Sequence, residues 1–162
     1  MIPIQLQDDL INRVKKLFAD AQYINPKYQS GGDEPQYIPI NIYSQHLPEK
    51  KSSDVTLYPF VLIQLVEGEQ SSADEALNTK IHFTIGIYDN DKNYQGYRDL
   101  CSVIQKIYED LIRNPIENMR FELQFPISWF ISDDNPFPYY FGGFETIWGV
   151  PKALREDVEE YI

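Results

Sequence analysis

The chain is poor in the residues that carry most protein chemistry. It has one cysteine, Cys101, so no internal disulfide can form. Cys101 lies in an apolar, helix-like stretch beside Leu100, with no activating base close in sequence, and reads as a core thiol. There are two histidines, His46 and His82, and neither has a histidine or cysteine at metal-ligand spacing. The chain contains neither G-x-S-x-G nor a phosphate-binding glycine loop. No apolar run approaches 18 residues, which excludes a transmembrane helix. The N-terminus has no charged start followed by an apolar block, so the expectation is a soluble protein that first appears in a cytoplasm.

Basic residues are also scarce. Lys and Arg number 14 against 25 Asp and Glu, for a formal net charge of -11. Through residue 58 the count is seven acids and six bases, leaving eighteen and eight beyond. A grip on phosphate needs clustered cations, and these are scattered. An acidic surface suits solubility, a basic partner or repulsion of nucleic acid. The many carboxylates single out no acid/base pair. Asp89-Asn90-Asp91-Lys92-Asn93 opens like a calcium loop, but Tyr94 stands where glycine is needed and Leu100 where glutamate is needed. It reads instead as a polar turn whose Asp or Asn caps the next helix. No catalytic, cofactor-binding or metal-binding residue is assigned.

What is present is a clear alternation of patterns. Ile81, Phe83, Ile85 and Ile87 recur at period two, the mark of a half-buried strand. Leu100, Val103, Ile104, Ile107, Leu111 and Ile112 then recur at three and four, giving a helix one apolar stripe. This strand–helix unit is the expected core. A first helix is expected over 4–21, ended by Asn25-Pro26, with Asp8 and Asp9 early and Lys15 and Lys16 late, as the helix dipole prefers. Residues 25–57 form an irregular loop region, with a short strand at 37–43 that Pro39 would confine to an edge. The run 59–67 reads as a central strand covered on both faces. It leads through a polar loop into the core strand, a hairpin with a long tip.

Strands are further expected at 120–124, broken by Pro126, then at 127–132, and at 145–150 carrying Trp148. Gly142-Gly143 reads as a bulge or tight bend. The inventory implies an α+β fold: an antiparallel or mixed sheet of four to six strands with two main helices packed on one face. One domain would span 1–151, followed by an acidic tail over 152–162. The run Pro136-Phe137-Pro138-Tyr139-Tyr140-Phe141, with two prolines that preset an extended backbone, is either an interface or a cover for the open end of the core. The hairpin tip over 68–78, with Glu69, Asp74 and Glu75, and the loop over 25–57 are the other candidate interfaces.

Three stretches taken in order resemble a known family. They are YPFVLIQLVEGE (58–69), IGIYDNDKNYQGYRDLCSVIQKIYEDLIRNP (85–115) and FPISWFISDDNPFPYYFGGFETIWGVP (125–151), with the opening MIPIQLQDDLINRVKKLF similar as well. The family is that of small tail-module proteins of long-tailed phages and prophages, the tail terminators and head–tail joining proteins. The resemblance implies a structural virion component, not an enzyme, assembled in the host cytoplasm. It implies a homo-oligomer, a hexameric ring, that caps the major tail tube protein and meets the head connector. DNA would pass through without specific binding, and no membrane is involved. A head-completion or neck adaptor is the neighbouring alternative. A small ligand-binding domain or enzyme using surface carboxylates is the alternative from another class.

Overall fold

The computed structural model describes residues 2–29, 31, 33, 35–49, 54–134 and 136–151. The expected tail over 152–162 lies outside the described residues. Elements in chain order are α1 (Ile2–Leu17), β1 (Tyr23–Ile24), α2 (Pro26–Gln29), β2 (Tyr37–Ile38), β3 (Asn41–Ser44), a 3-10 turn (Val55–Leu57), β4 (Phe60–Glu69), β5 (Leu77–Tyr88), α3 (Gly96–Arg113), β6 (Ile116–Glu117), β7 (Phe121–Ile131) and β8 (Tyr139–Val150). The fold is α+β. Six strands form one mixed sheet in the order β3-β4-β5-β8-β7-β6, and β1 pairs with β2 in a separate ribbon. β3 runs parallel to β4, and every other pairing is antiparallel.

The period-two pattern sorts the sheet into two faces. Ile81, Phe83, Ile85 and Ile87 of β5 face the same way as Val61 and Ile63 of β4 and as Tyr140, Phe144 and Trp148 of β8. Against this face lie α1, through Leu6, Leu10 and Val14, and α3, through Leu100, Val103, Ile104, Ile107 and Leu111. Phe83 and Phe144 stack at 4.7 Å in the middle of the layer. Trp148 is fully buried, and its indole N–H donates to Thr146 Oγ1 at 2.9 Å, while that hydroxyl donates to the Ile81 carbonyl at 2.9 Å.

Polar side chains lock the two helices to the sheet and to each other. Gln7, buried on α1, donates to the Ile63 carbonyl at 3.0 Å and to Gln45 Oε1 at 2.8 Å. Gln45 follows β3 with φ 66° and bonds the Leu65 backbone through both ends of its amide, both at 2.9 Å. Its side chain thus continues the ladder for one residue after β3 stops. Arg13 of α1 reaches Asp110 Oδ2 at 2.7 Å and Glu117 Oε2 at 3.0 Å. It also donates to the carbonyls of Asp110 at 3.0 Å and Asn114 at 2.8 Å, at the end of α3.

Several expectations are corrected. The first helix begins at Ile2 and ends at Leu17, in a turn closed by Ala19 N–H to the Lys16 carbonyl. Asn25-Pro26 instead opens the short α2. The strand over 37–43 is split at Pro39-Ile40: β2 lies in the ribbon, and β3 takes the sheet edge that proline was expected to impose. β4 lies next to the edge rather than centrally, and is covered on both faces only over residues 60–63. Pro126 does not break the chain into two strands. It falls where the β7–β8 register shifts, between Gln124 and Ser128, so its missing N–H costs no ladder bond.

Gly142-Gly143 is neither a bulge nor a bend, because β8 runs straight through it between β5 and β7. A Cβ at Gly143 would lie 1.9 Å from the Phe83 carbonyl oxygen, so glycine is what lets the strands approach. Ile112, counted in the apolar stripe, is exposed at the end of α3. Cys101 is half-buried rather than core. α3 has Gln95 at its N-cap with no side-chain capping bond, so no Asp or Asn of the turn before it caps it. There Asp89 and Asp91 accept from the backbone N–H groups of Asp91 and Asn93 at 2.9 and 3.0 Å.

Candidate interaction surface

Neither α1 nor α3 covers the sheet face opposite them. One end is covered by chain. Leu57, Tyr58, Phe60 and Leu62 form a second small core, with Tyr43, Leu47, Tyr88, Tyr139 and Phe141 packed around it. Tyr58 sits at its centre, with ring centroids 5.2 Å from Phe60, 5.3 Å from Tyr139 and 6.0 Å from Phe141. Burial pushes the Tyr58 hydroxyl up to about 12, with a further push from Tyr139. The Asn41 amide donates to the Leu57 carbonyl at 3.2 Å and holds this cover on the edge strand. The other end of the same face is polar. It carries Lys80 at 2.9 Å from Glu67 and His82 Nε2 at 3.0 Å from Glu145 Oε1. The His82 nitrogen is out of hydrogen-bonding alignment, so that contact is one of proximity.

The sequence-picked aromatics therefore divide. Tyr140 faces the helices, is buried, and packs where any side chain at Gly96 would collide with its ring at 2.4 Å. It belongs to the main core. Tyr139 and Phe141 point to the other face and are half-buried in the second core. Phe137 is exposed and meets Tyr94 at 4.8 Å between centroids. Glu69, Asp74 and Glu75 are exposed at the β4–β5 tip. The tip lies at the opposite end of β5 from the Tyr139 cluster, since Leu77 pairs with Val150 and Tyr88 with Tyr139. The two candidate patches are thus not one surface.

Sequence reading missed a further group of exposed aromatics. Phe125, Trp129 and Phe130 of β7 are each more than half exposed. Trp129 lies on the helix side and closes a cavity of about 370 Å³ with Cys101, Ile104, Gln105, Tyr108 and Glu109 of α3. Phe130 lies on the opposite face, cross-strand from Gly143. The signal was present in Phe125-Pro126-Ile127-Ser128-Trp129-Phe130-Ile131, where apolar residues occupy both alternating positions. Such a run reads as a strand buried on both faces, and only the fold shows that neither face is fully covered.

Among the described residues no three His, Cys, Asp or Glu side chains are placed to hold a metal ion. No helix among them is long and apolar enough to cross a membrane. No family model matches the chain, and no curated protein matches it.

Proposed function

We propose that this protein is a structural component of a phage or prophage tail, a tail terminator whose copies form a ring between the tail tube and the head connector. The observation that carries the reading is the exposure of Phe125, Trp129 and Phe130 in a segment, 123–132, that holds no charged residue, in a chain of net charge -11. Exposed aromatics without charge are the composition of interface centres rather than of solvated surface. A chain this acidic resists self-association except where its charge is absent. The resemblance of the three ordered stretches supplies the kind of assembly. In this reading the acidic remainder of the surface lines the ring lumen and faces, where DNA passes without sticking.

The test is the mass of the purified protein in solution by light scattering, followed by co-sedimentation with polymerised major tail protein from the same gene cluster. A closed oligomer that binds the tube end supports the reading. Failure to bind the tube polymer, whatever the oligomeric state, refutes it.

A further inference from the structure

The strand order leaves two sheet edges unpaired among the described residues, and they lie at opposite ends of one sheet. One is β3. The other is β7 beyond Leu123, because β6 covers only the first residues of β7, and the Leu123 N–H bonds the Pro115 carbonyl. The direction of the free groups follows from the bonds already made. Ser132 N–H donates to the Phe141 carbonyl, inward to β8. By the period of two, Phe130 and Ser128 also bond inward, and Trp129 and Ile131 present their N–H and C=O groups outward. On β3, Asn41 N–H donates to the Pro59 carbonyl and Gln45 N–H to the Ile63 carbonyl, both inward. Ile42 therefore presents both of its groups outward and Ser44 its N–H, while the Ser44 carbonyl accepts from the His46 N–H at 2.7 Å.

Natural sheets protect such edges with charge, and here charge is missing from both. Residues 123–132 contain no Asp, Glu, Lys or Arg, and neither do residues 35–45. Unprotected edges pair with other strands. We infer that the β7 edge of one copy pairs with the β3 edge of the next, so that the six-stranded sheet continues from subunit to subunit. The occupant is a second copy of this chain, on two grounds. Two uncharged edges let chains of net charge -11 meet where no like charges are opposed across the contact. The two edges also stand roughly 19 Å apart, four strand spacings at about 4.8 Å each, on opposite sides of the same unit. That is the arrangement a head-to-tail contact requires. Trp129 and Phe130, one on each face beside the edge, would be covered by the incoming strand. The inference deepens the ring reading and rests on it for closure.

Two proline variants test it, each removing one outward N–H without touching the bonds to the neighbouring strand: Trp129→Pro and Ser44→Pro. The measurement is mass by light scattering over a concentration series, with circular dichroism to check folding. The wild-type chain is expected to form a closed oligomer and each variant alone to be a folded monomer. An equimolar mixture should give a species of twice the monomer mass and no larger, because one good edge pair remains. If either proline variant unfolds, Phe130→Lys replaces Trp129→Pro and Tyr43→Lys replaces Ser44→Pro, with the same expectation. Retention of the wild-type mass by both variants overturns the edge pairing and leaves the ring reading standing. Dimerisation of Ser44→Pro alone shows β7 pairing with β7 and overturns the head-to-tail arrangement. A wild-type chain that stays monomeric at every concentration overturns self-pairing, and binding to the tail-tube polymer then judges the ring reading separately.

Discussion

Replacing Arg13 by Met should remove the strongest polar tie between α1 and the end of α3 while keeping much of the side chain's apolar bulk. The guanidinium contacts two carboxylates, Asp110 and Glu117, and two backbone carbonyls. The side chains of Arg13, Asp110 and Glu117 are 15%, 25% and 18% exposed, so the group is shielded but not dry. Removing one partner of a fully buried pair costs 3–5 kcal/mol. Residual solvent screening lowers that to about 2–3 kcal/mol here. For a chain of this size that is a fall in melting temperature of roughly 4–12 °C, measured by circular dichroism at pH 7. The pH dependence sharpens the test. Burial raises the Glu117 pKa, and Arg13 is what opposes the rise. A carboxyl whose folded pKa is raised contributes stability that is present below its unfolded pKa and lost as pH rises through the folded one. Without Arg13 the folded pKa climbs further, so the variant loses more on going from acid to neutral pH than the wild type does. The deficit should therefore shrink below the carboxylate range. A loss under about 1 kcal/mol at pH 7 would place this cluster with ordinary surface ion pairs and refute the reasoning. So would a deficit that does not change with pH.

Two further outcomes follow from the core. Thr146→Val keeps shape but removes the acceptor of the buried Trp148 N–H and the donor to the Ile81 carbonyl, which should cost about 1–3 kcal/mol in chemical denaturation; a neutral result would mean the indole finds another partner. Gly143→Ala drives a methyl into the Phe83 carbonyl in the middle of the sheet and should cost about 3 kcal/mol or prevent folding, whereas the same change at Gly68, where nothing lies closer than 3.5 Å, should be well tolerated.

The local patterns were legible without the fold wherever one face is apolar and the other is not. Ile81 to Ile87 and Leu100 to Leu111 could be assigned from spacing alone because strand and helix project side chains at fixed periods. The α+β class and the packing of both main helices on one face follow from those stripes. Other features depend on neighbours distant in sequence. Nothing near Pro126 says that it falls at a register shift, since the shift is defined by β8. Nothing near Gly142-Gly143 shows that a carbonyl from β5 occupies the space of a side chain. Tyr139, Tyr140 and Phe141 read as one aromatic run, yet the pleat sends Tyr140 to the main core and the other two to the opposite face. The exposure of Trp129 and Phe130 was likewise hidden, because a run apolar on both faces announces burial, and only the sheet order puts that strand at an edge. Sequence thus determined which stretches are strands and helices and which side of each is apolar, because those are properties of a few residues in a row. The tertiary structure alone decided which strands became edges and which aromatics stayed uncovered, because pairing and burial belong to whichever segment arrives alongside.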